Sequence, residues 1–222
     1  MAYADIAIFH KKYGGKFQTW EVPTLGTSFI LFNLDRGPFT DKRLRLAAAY
    51  AIDRETIRQA VFCGRGASAT GFYAPASPWY MEGVTPGPAY DPEHARFLLW
   101  QARAVGTAVG LLALTSFPYL QHTAEVVQAM WSEVGLKVIL DLCDERLLNS
   151  KRRARDFHAD STSSSYRSDP DGWFSRMILS SAPSTRTTSG LQHAYADTLV
   201  ATARRTADRQ QRLTLYTTQA RA

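Results

Sequence analysis

The chain has 222 residues, 45% of them hydrophobic and 21% charged, with a formal net charge of +6. That is the composition of an ordinary globular protein, long enough for one well-buried domain or two small ones. No apolar run approaches the roughly 18 residues needed to span a bilayer, and residues 1–15 lack the basic start, apolar core and small-residue cleavage site of an export signal. Only two cysteines occur, Cys63 and Cys143. Without paired Cys or His spacing they read as buried free thiols rather than a zinc site, and sequence leaves open whether they pair.

In chain order, residues 1–28 are mixed. Gly14 and Gly15 mark a turn, and Trp20, Glu21 and Val22 suggest a short strand before Pro23. Residues 29–32, Phe-Ile-Leu-Phe, read as a buried strand that breaks between Asn33 and Gly37. Asp41 is placed to cap a helix with Leu44, Ala47, Ala48 and Ala51 on its buried face. Asp53 starts a second helix with Ile57, Ala60 and Val61 inside and Gly64 as its stop. Arg43, Arg45 and Asp53 read as caps and clamps for these helices.

Residues 64–90 are irregular and proline-rich, with Pro75, Pro78, Pro86 and Pro88, and Pro92 just beyond. Phe72, Tyr73, Trp79 and Tyr80 are expected to pack this long segment down. Asp91 and Pro92 open a helix with Ala95, Leu98, Leu99 and Ala102 buried and Gly106 as its end. Residues 109–115 form a strand, 120–134 an amphipathic helix ending at Gly135, and 136–142 a second strand of alternating pattern. Strand, helix, strand with short connections predicts a right-handed parallel βαβ unit.

A helix over 144–153 ends on Lys151, Arg152, Arg153 and Arg155, read as a solvated helix end rather than a nucleic-acid patch, since the other basic residues are scattered. A serine-rich strand over 157–166 leads to the turn Asp169-Pro170-Asp171-Gly172. Then come an apolar segment (173–179), a polar loop (180–190) and two helices near 195–205 and 208–220. In the last, Gln210, Gln211 and Arg212 are expected in solvent and Leu213, Tyr216, Thr217 and Ala220 in the seam.

Several of these stretches carry a common signature. Phe32-Asn33, then Pro38-Phe39-x-Asp41-x-Arg43-Leu44-Arg45-x-Ala47, then Tyr50-Ala51-Ile52-Asp53-Arg54 resemble the extracellular solute-binding proteins of peptide-type ABC importers, family 5, which include oligopeptide, dipeptide and nickel binders. The Tyr90-Asp91-Pro92 helix start and the junction from Gln128 to Val138 are similar to the same family. The resemblance covers most of 28–220, with 1–27 as a lead-in. It implies an α/β fold: a periplasmic-binding-protein-like lobe, a mixed sheet flanked by helices, within a larger bilobal protein whose preceding lobes, and export signal, these residues do not include. It also implies a periplasmic or cell-surface setting, a peptide or other small solute and ABC permease subunits as partners, and no nucleic acid.

No phosphate loop, GxSxG, HExxH or EF-hand pattern is present, and the five histidines are dispersed. No catalytic residue, metal ligand or cofactor is therefore expected. The stretch with functional bias is 163–172. In the family its counterpart lines the ligand cleft, which implies Ser164, Tyr166, Arg167 and Asp169 as ligand-binding residues. Tyr166 stands where relatives that bind a peptide's amino group carry an aspartate. Arg167 suits a carboxylate-bearing solute; a local ion pair to Asp169 or Asp171 explains it equally well. Two other readings remain at this point: the sensing domain of a transcription regulator, and a remnant with no binding activity.

Overall fold

The computed structural model describes residues 3–18, 20–22, 26–69, 73, 77–80, 87–164 and 169–221. It opens on a helix that the sequence pattern did not announce, α1 (Tyr3–Tyr13), where Tyr3 meets Phe62 edge-on at 5.2 Å. Residues 20–22 form no strand. Trp20 and Val22 stand 79% and 74% exposed, and no described strand pairs with them.

The first strand, β1 (Thr27–Phe32), ends at Asn33. The buried Asn33 side chain donates to the Phe157 carbonyl at 2.9 Å and accepts from the Asp35 amide at 3.1 Å, so a polar group inside the protein is satisfied on both sides. At Gly37 the backbone lies at φ 79°, and a Cβ there would fall 2.4 Å from the His158 ring. Only glycine fits. A 3-10 turn (Pro38–Thr40) leads into α2 (Lys42–Tyr50), where Asp41 accepts from the Arg43 amide at 2.8 Å. Arg43 grips the same carboxylate, and Arg45 donates to the Phe39 carbonyl at 2.7 Å. Asp53 caps α3 (Arg54–Phe62) through the Glu55 and Thr56 amides. These roles are the ones read from the sequence, although Ala60 faces solvent. Cys63 closes the helix in the left-handed region and is exposed, against expectation, while Cys143 is buried; both are free thiols.

Asp91 caps α4 (Pro92–Gln101), which stops before Gly106 because Arg103 takes φ 54°. Then β2 (Ala108–Leu114), α5 (Pro118–Glu133) and β3 (Lys137–Cys143) make the predicted βαβ unit: the strands pair in parallel, Val109 opposite Val138 and Leu114 opposite Cys143. After α6 (Glu145–Ala154), β4 (Ala159–Ser164) inserts between β1 and β2, antiparallel to the first and parallel to the second. The sheet order β1-β4-β2-β3 is mixed, as expected. The apolar segment after the Asp169 turn is a helix, α7 (Asp171–Met177), and the expected polar loop contains α8 (Pro183–Thr187) with Thr185 fully buried. The chain closes with α9 (Ala194–Arg205) and α10 (Arg209–Arg221).

One face of the sheet packs Val109, Leu111, Ala113 and Ala159 against Leu44, Ala47 and Ala48 of α2, Leu99 of α4 and Val127 and Trp131 of α5. On the other face Leu112, Cys143 and Phe157 meet Leu148 of α6. That second cover explains why the alternation read in β3 fails at its end: Leu142 is exposed and Cys143 buried, because α6 rather than α5 covers the sheet there. β1 is half-buried along its whole length rather than buried, as befits an edge strand. A third cluster joins α7, α9 and α10, with Phe174 stacked on Tyr216 at 4.6 Å and Tyr73 and Trp79 buried against it. Those two aromatics do pack their segment down; Phe72 lies outside the described residues.

Trp131 ties the main core together: it is fully buried and its indole N–H donates to the Ala48 carbonyl at 2.9 Å. Trp131→Phe should cost about 1–3 kcal/mol by orphaning that carbonyl, and Trp131→Ala about 3–5 kcal/mol through the cavity it leaves. Urea denaturation of the two variants checks both the size and the order of these losses.

Candidate functional site

The site grows from β4, whose sequence Ala-Asp-Ser-Thr-Ser-Ser has little intrinsic strand preference. It is a strand because it has neighbours. Against β1 it pairs along its full length, Thr27 opposite Ser164 through Phe32 opposite Ala159. Against β2 it pairs only from Ala159 to Ser161. Beyond Ser161 the two strands part, and among the described residues Thr162–Ser164 stay laddered on β1.

Alternate β4 residues serve different faces. Ser161 donates to the Leu120 carbonyl at 2.9 Å, and Ser163 meets the Tyr119 hydroxyl at 3.0 Å, both toward α5. Asp160 and Thr162 point to the opposite face, where Arg152 of α6 waits. The Asp160 side chain has no exposed surface. Arg152 donates through Nε to Asp160 Oδ2 at 2.6 Å and through Nη2 to Thr162 Oγ1 at 3.1 Å. Burial pushes the Asp160 carboxyl up, and the guanidinium opposes that rise.

Beside this pair lies a cleft of about 210 Å³. Its floor is Phe29 and Leu31 of β1 with Thr162, Ser163 and Ser164 of β4. Its walls are Arg152, then Trp173, Arg176 and Met177 of α7, then Ser184 and Thr188. Trp173 stands edge-on to Phe29 at 5.4 Å. A space this size is below the roughly 300–1,000 Å³ of clefts that enclose drug-sized ligands. It holds a small group, or one end of a longer solute.

Of the residues implied by resemblance, Ser164 lines this cleft at the end of β4. Tyr166 and Arg167 lie outside the described residues. Asp169 opens the turn into α7, and both its oxygens accept from the Arg212 fork, at 2.7 and 2.9 Å. Arg212 is therefore not a solvent-facing residue of α10: its guanidinium also lies 5.2 Å from the Trp79 ring. Asp171 has Arg204 at 3.2 Å. The basic end of α6 is also not simply solvated, because Lys151 pairs with Asp141, Arg152 with Asp160 and Arg155 with Asp35. Sequence reasoning missed Arg152, Trp173 and Arg176 as cleft residues; no spacing signal links them, since sheet pairing brings them together.

Cys143 is buried, and that burial, with Asp141 beside it, pushes its thiol up to about 11, away from the thiolate form. Among the described residues no group of three or more His, Cys, Asp or Glu side chains is placed to hold a metal ion.

The model of the family described as bacterial extracellular solute-binding proteins, family 5 middle, matches residues 2–186. The chain belongs to this family. The dipeptide-binding protein of Escherichia coli K12 is 30% identical over 225 residues, a match that covers 96% of this chain and 41% of that protein. Among solved structures, the PBP AgaA of A. tumefaciens R10 in complex with agropinic acid superposes with a TM-score of 0.85 at 26% identity, over 99% of this chain and 45% of that one. A Pseudoalteromonas dipeptide-binding protein in complex with Met-Leu shares the fold, with a TM-score of 0.86 at 24% identity over 99% of this chain and 45% of that one. The chain spans less than half the length of these relatives.

Within this family 5 chain the Asp169 clamp makes a pH prediction. Burial alone would raise the Asp169 carboxyl, but the Arg212 fork and the Asp171 amide hold it below its ordinary value. A carboxyl depressed in the folded state stabilises above its unfolded value of about 3.9, and that contribution is lost as pH falls through the folded value. Asp169→Asn should therefore be less stable than wild type at pH 6, and the gap should close below about pH 4. Urea midpoints at pH 6 and pH 3 measure it.

Proposed function

We propose that this chain is the solute-gripping lobe of an extracytoplasmic substrate-binding protein, serving ABC-type import of a peptide or a related small solute. The observation that carries the reading is the geometry of β4. Past Ser161 the strand stays laddered on β1 while its pairing with β2 ends among the described residues, and it does so where Phe29, Trp173, Thr162 and Ser164 border a cleft. An extended solute would add to that edge as a short strand, with backbone hydrogen bonds giving affinity and the cleft receiving a side group.

Ser164 lines this cleft, and Asp169 is held by Arg212 at the turn into α7; with them the same stretch supplies Tyr166 and Arg167 as proposed ligand-binding residues. Arg167 would meet a carboxylate on the solute. The action is non-covalent: a facing lobe closes by a hinge, and the loaded protein delivers the solute to membrane permease subunits. The family's description as extracellular binding proteins supports a periplasmic or cell-surface setting and favours transport over a regulator's sensing domain.

Trp173, one of five tryptophans, reports on the cleft directly. Titrating the 222-residue chain with a panel of di- and tripeptides should give a saturable change in tryptophan emission that Trp173→Phe removes. If no peptide changes the emission and calorimetry is equally silent, the cleft is not a solute site.

A further inference from the structure

His158 leads into β4, and its ring serves as an acceptor. The Gly110 amide of β2 donates to Nδ1 at 3.0 Å, so that nitrogen carries no proton and the neutral ring keeps its proton on Nε2. The backbone of the same residue is engaged on both sides. Its amide donates to the Gly110 carbonyl at 3.2 Å, and its carbonyl accepts from the Asn33 amide at 3.0 Å. Over the ring lies the turn at Gly37, so close that a Cβ there would fall 2.9 Å from Nε2. The ring is partly buried, and burial holds it below the ordinary histidine value.

The same turn reaches the cleft. Leu34 donates its amide to the Ser189 carbonyl at 2.7 Å, and the Asp35 Cβ packs on Gly190, where an added Cβ would come within 2.9 Å. Thr188, the neighbour of Ser189, lines the cleft. Short contacts thus run from the His158 ring through residues 33–37 to one wall of the cleft. The charges around the ring give an imidazolium little support. Asp35 is paired with Arg155, and Asp160, two residues along the strand, with Arg152. β2 carries no titratable side chain; on β3, the next strand, Asp141 is held by Lys151 and Lys137 is a further cation. Arg36, beside Gly37 in the chain, opposes a second positive charge. Asp156 favours one, but it is exposed, where water screens it.

We infer that His158 is a pH-sensitive latch between the sheet and the cleft wall at Thr188. Neutral, it accepts from Gly110 and seats the Gly37 turn. Once Nδ1 takes a proton, two N–H groups face each other and the ring can no longer hold its place between β2 and the turn. Residues 33–37 then loosen together with the Ser189 contact, and the wall loses its support in acid. Because the folded value is lowered, the contribution is fully present above the unfolded histidine value of about 6.5. It is lost as pH falls from there through the folded value, the unfolded segment taking the proton first. The latch does not depend on what the cleft binds.

The test follows the 222-residue chain by NMR between pH 7.5 and pH 5.0. At pH 7.5 the His158 Nδ1 should show the chemical shift of an unprotonated acceptor. Amide-exchange protection, corrected for intrinsic rates, should fall at Gly110 and Leu34 on going to pH 5.0. The drop should be at most about thirtyfold, the limit set by an unfolded value of about 6.5. The Leu136 amide, which donates to the Trp131 carbonyl at 3.0 Å in the βαβ unit, should keep its protection. His158→Asn puts an acceptor where Nδ1 stands but takes no proton, so the acid response of Gly110 and Leu34 should vanish in it. His193, whose Nδ1 accepts from the Ala196 amide at the start of α9, is present in both proteins, and the comparison cancels its titration. A proton on Nδ1 at pH 7.5 overturns the latch, and so does a response that persists in His158→Asn. Equal loss at Leu136 overturns it too, since the whole fold is then failing. A response at Gly110 without one at Leu34 refutes the link to the cleft wall. If His158→Asn does not fold, the wild-type Nδ1 state and the comparison of Gly110, Leu34 and Leu136 decide the matter.

Discussion

A carboxylate removed from water must be answered by a cation or it will not stay charged, and Asp160 is such a group in the middle of the sheet. Its answer comes from Arg152, eight residues earlier, on the helix that precedes the strand. The pair fixes α6 against the second face of the sheet, alongside the apolar contacts of Leu148 with Leu112 and Phe157. It also places a fixed guanidinium at the edge of the cleft, beside the hydroxyls of Thr162, Ser163 and Ser164 and the apolar side chains of Phe29 and Leu31.

The polar character of β4 follows from its position. A central strand in a mixed sheet is normally rich in β-branched and aromatic residues; this one carries serines and threonine because each side chain has a separate partner. Ser161 satisfies a helix carbonyl, Ser163 a tyrosine, Thr162 an arginine. Stability is supplied elsewhere, by the β2–α5–β3 unit and by Trp131, Phe39 and the alanine face of α2. The division lets the strand that borders the cleft be chosen for hydrogen bonding while the core beneath it is chosen for packing.

Arginines and lysines explain how a chain of net charge +6 can show so little of a basic surface motif. Lys151, Arg155, Arg204 and Arg212 are each set against an aspartate, and Arg45 against backbone carbonyls. Two of these pairs, Arg212 with Asp169 and Arg204 with Asp171, tie α9 and α10 to the turn that follows β4. The end of the cleft wall is thereby anchored to the third aromatic cluster, where Phe174 and Tyr216 stack.

Local chemistry made much of this legible from sequence. Asp41, Asp53 and Asp91 cap helices because a short carboxylate reaches the free amides of a first turn, a contact that needs no distant residue. The βαβ unit could be read because its strands and helix have distinct periods and short connections. The family signature lay in the same capped segments, from Phe32 to Arg54. What sequence could not give is whatever depends on a partner far along the chain. Cys63 was misplaced because exposure is set by packing and not by residue type, and Leu142 because a second helix covers the sheet at that point. Arg212 was sent to solvent because helical spacing cannot see Asp169, 43 residues away. The cleft belongs to the same class: Phe29, Arg152, Thr162 and Arg176 meet only when β4 inserts between β1 and β2. That insertion is set by sheet pairing and burial acting together, which is a property of the folded chain and not of any stretch within it.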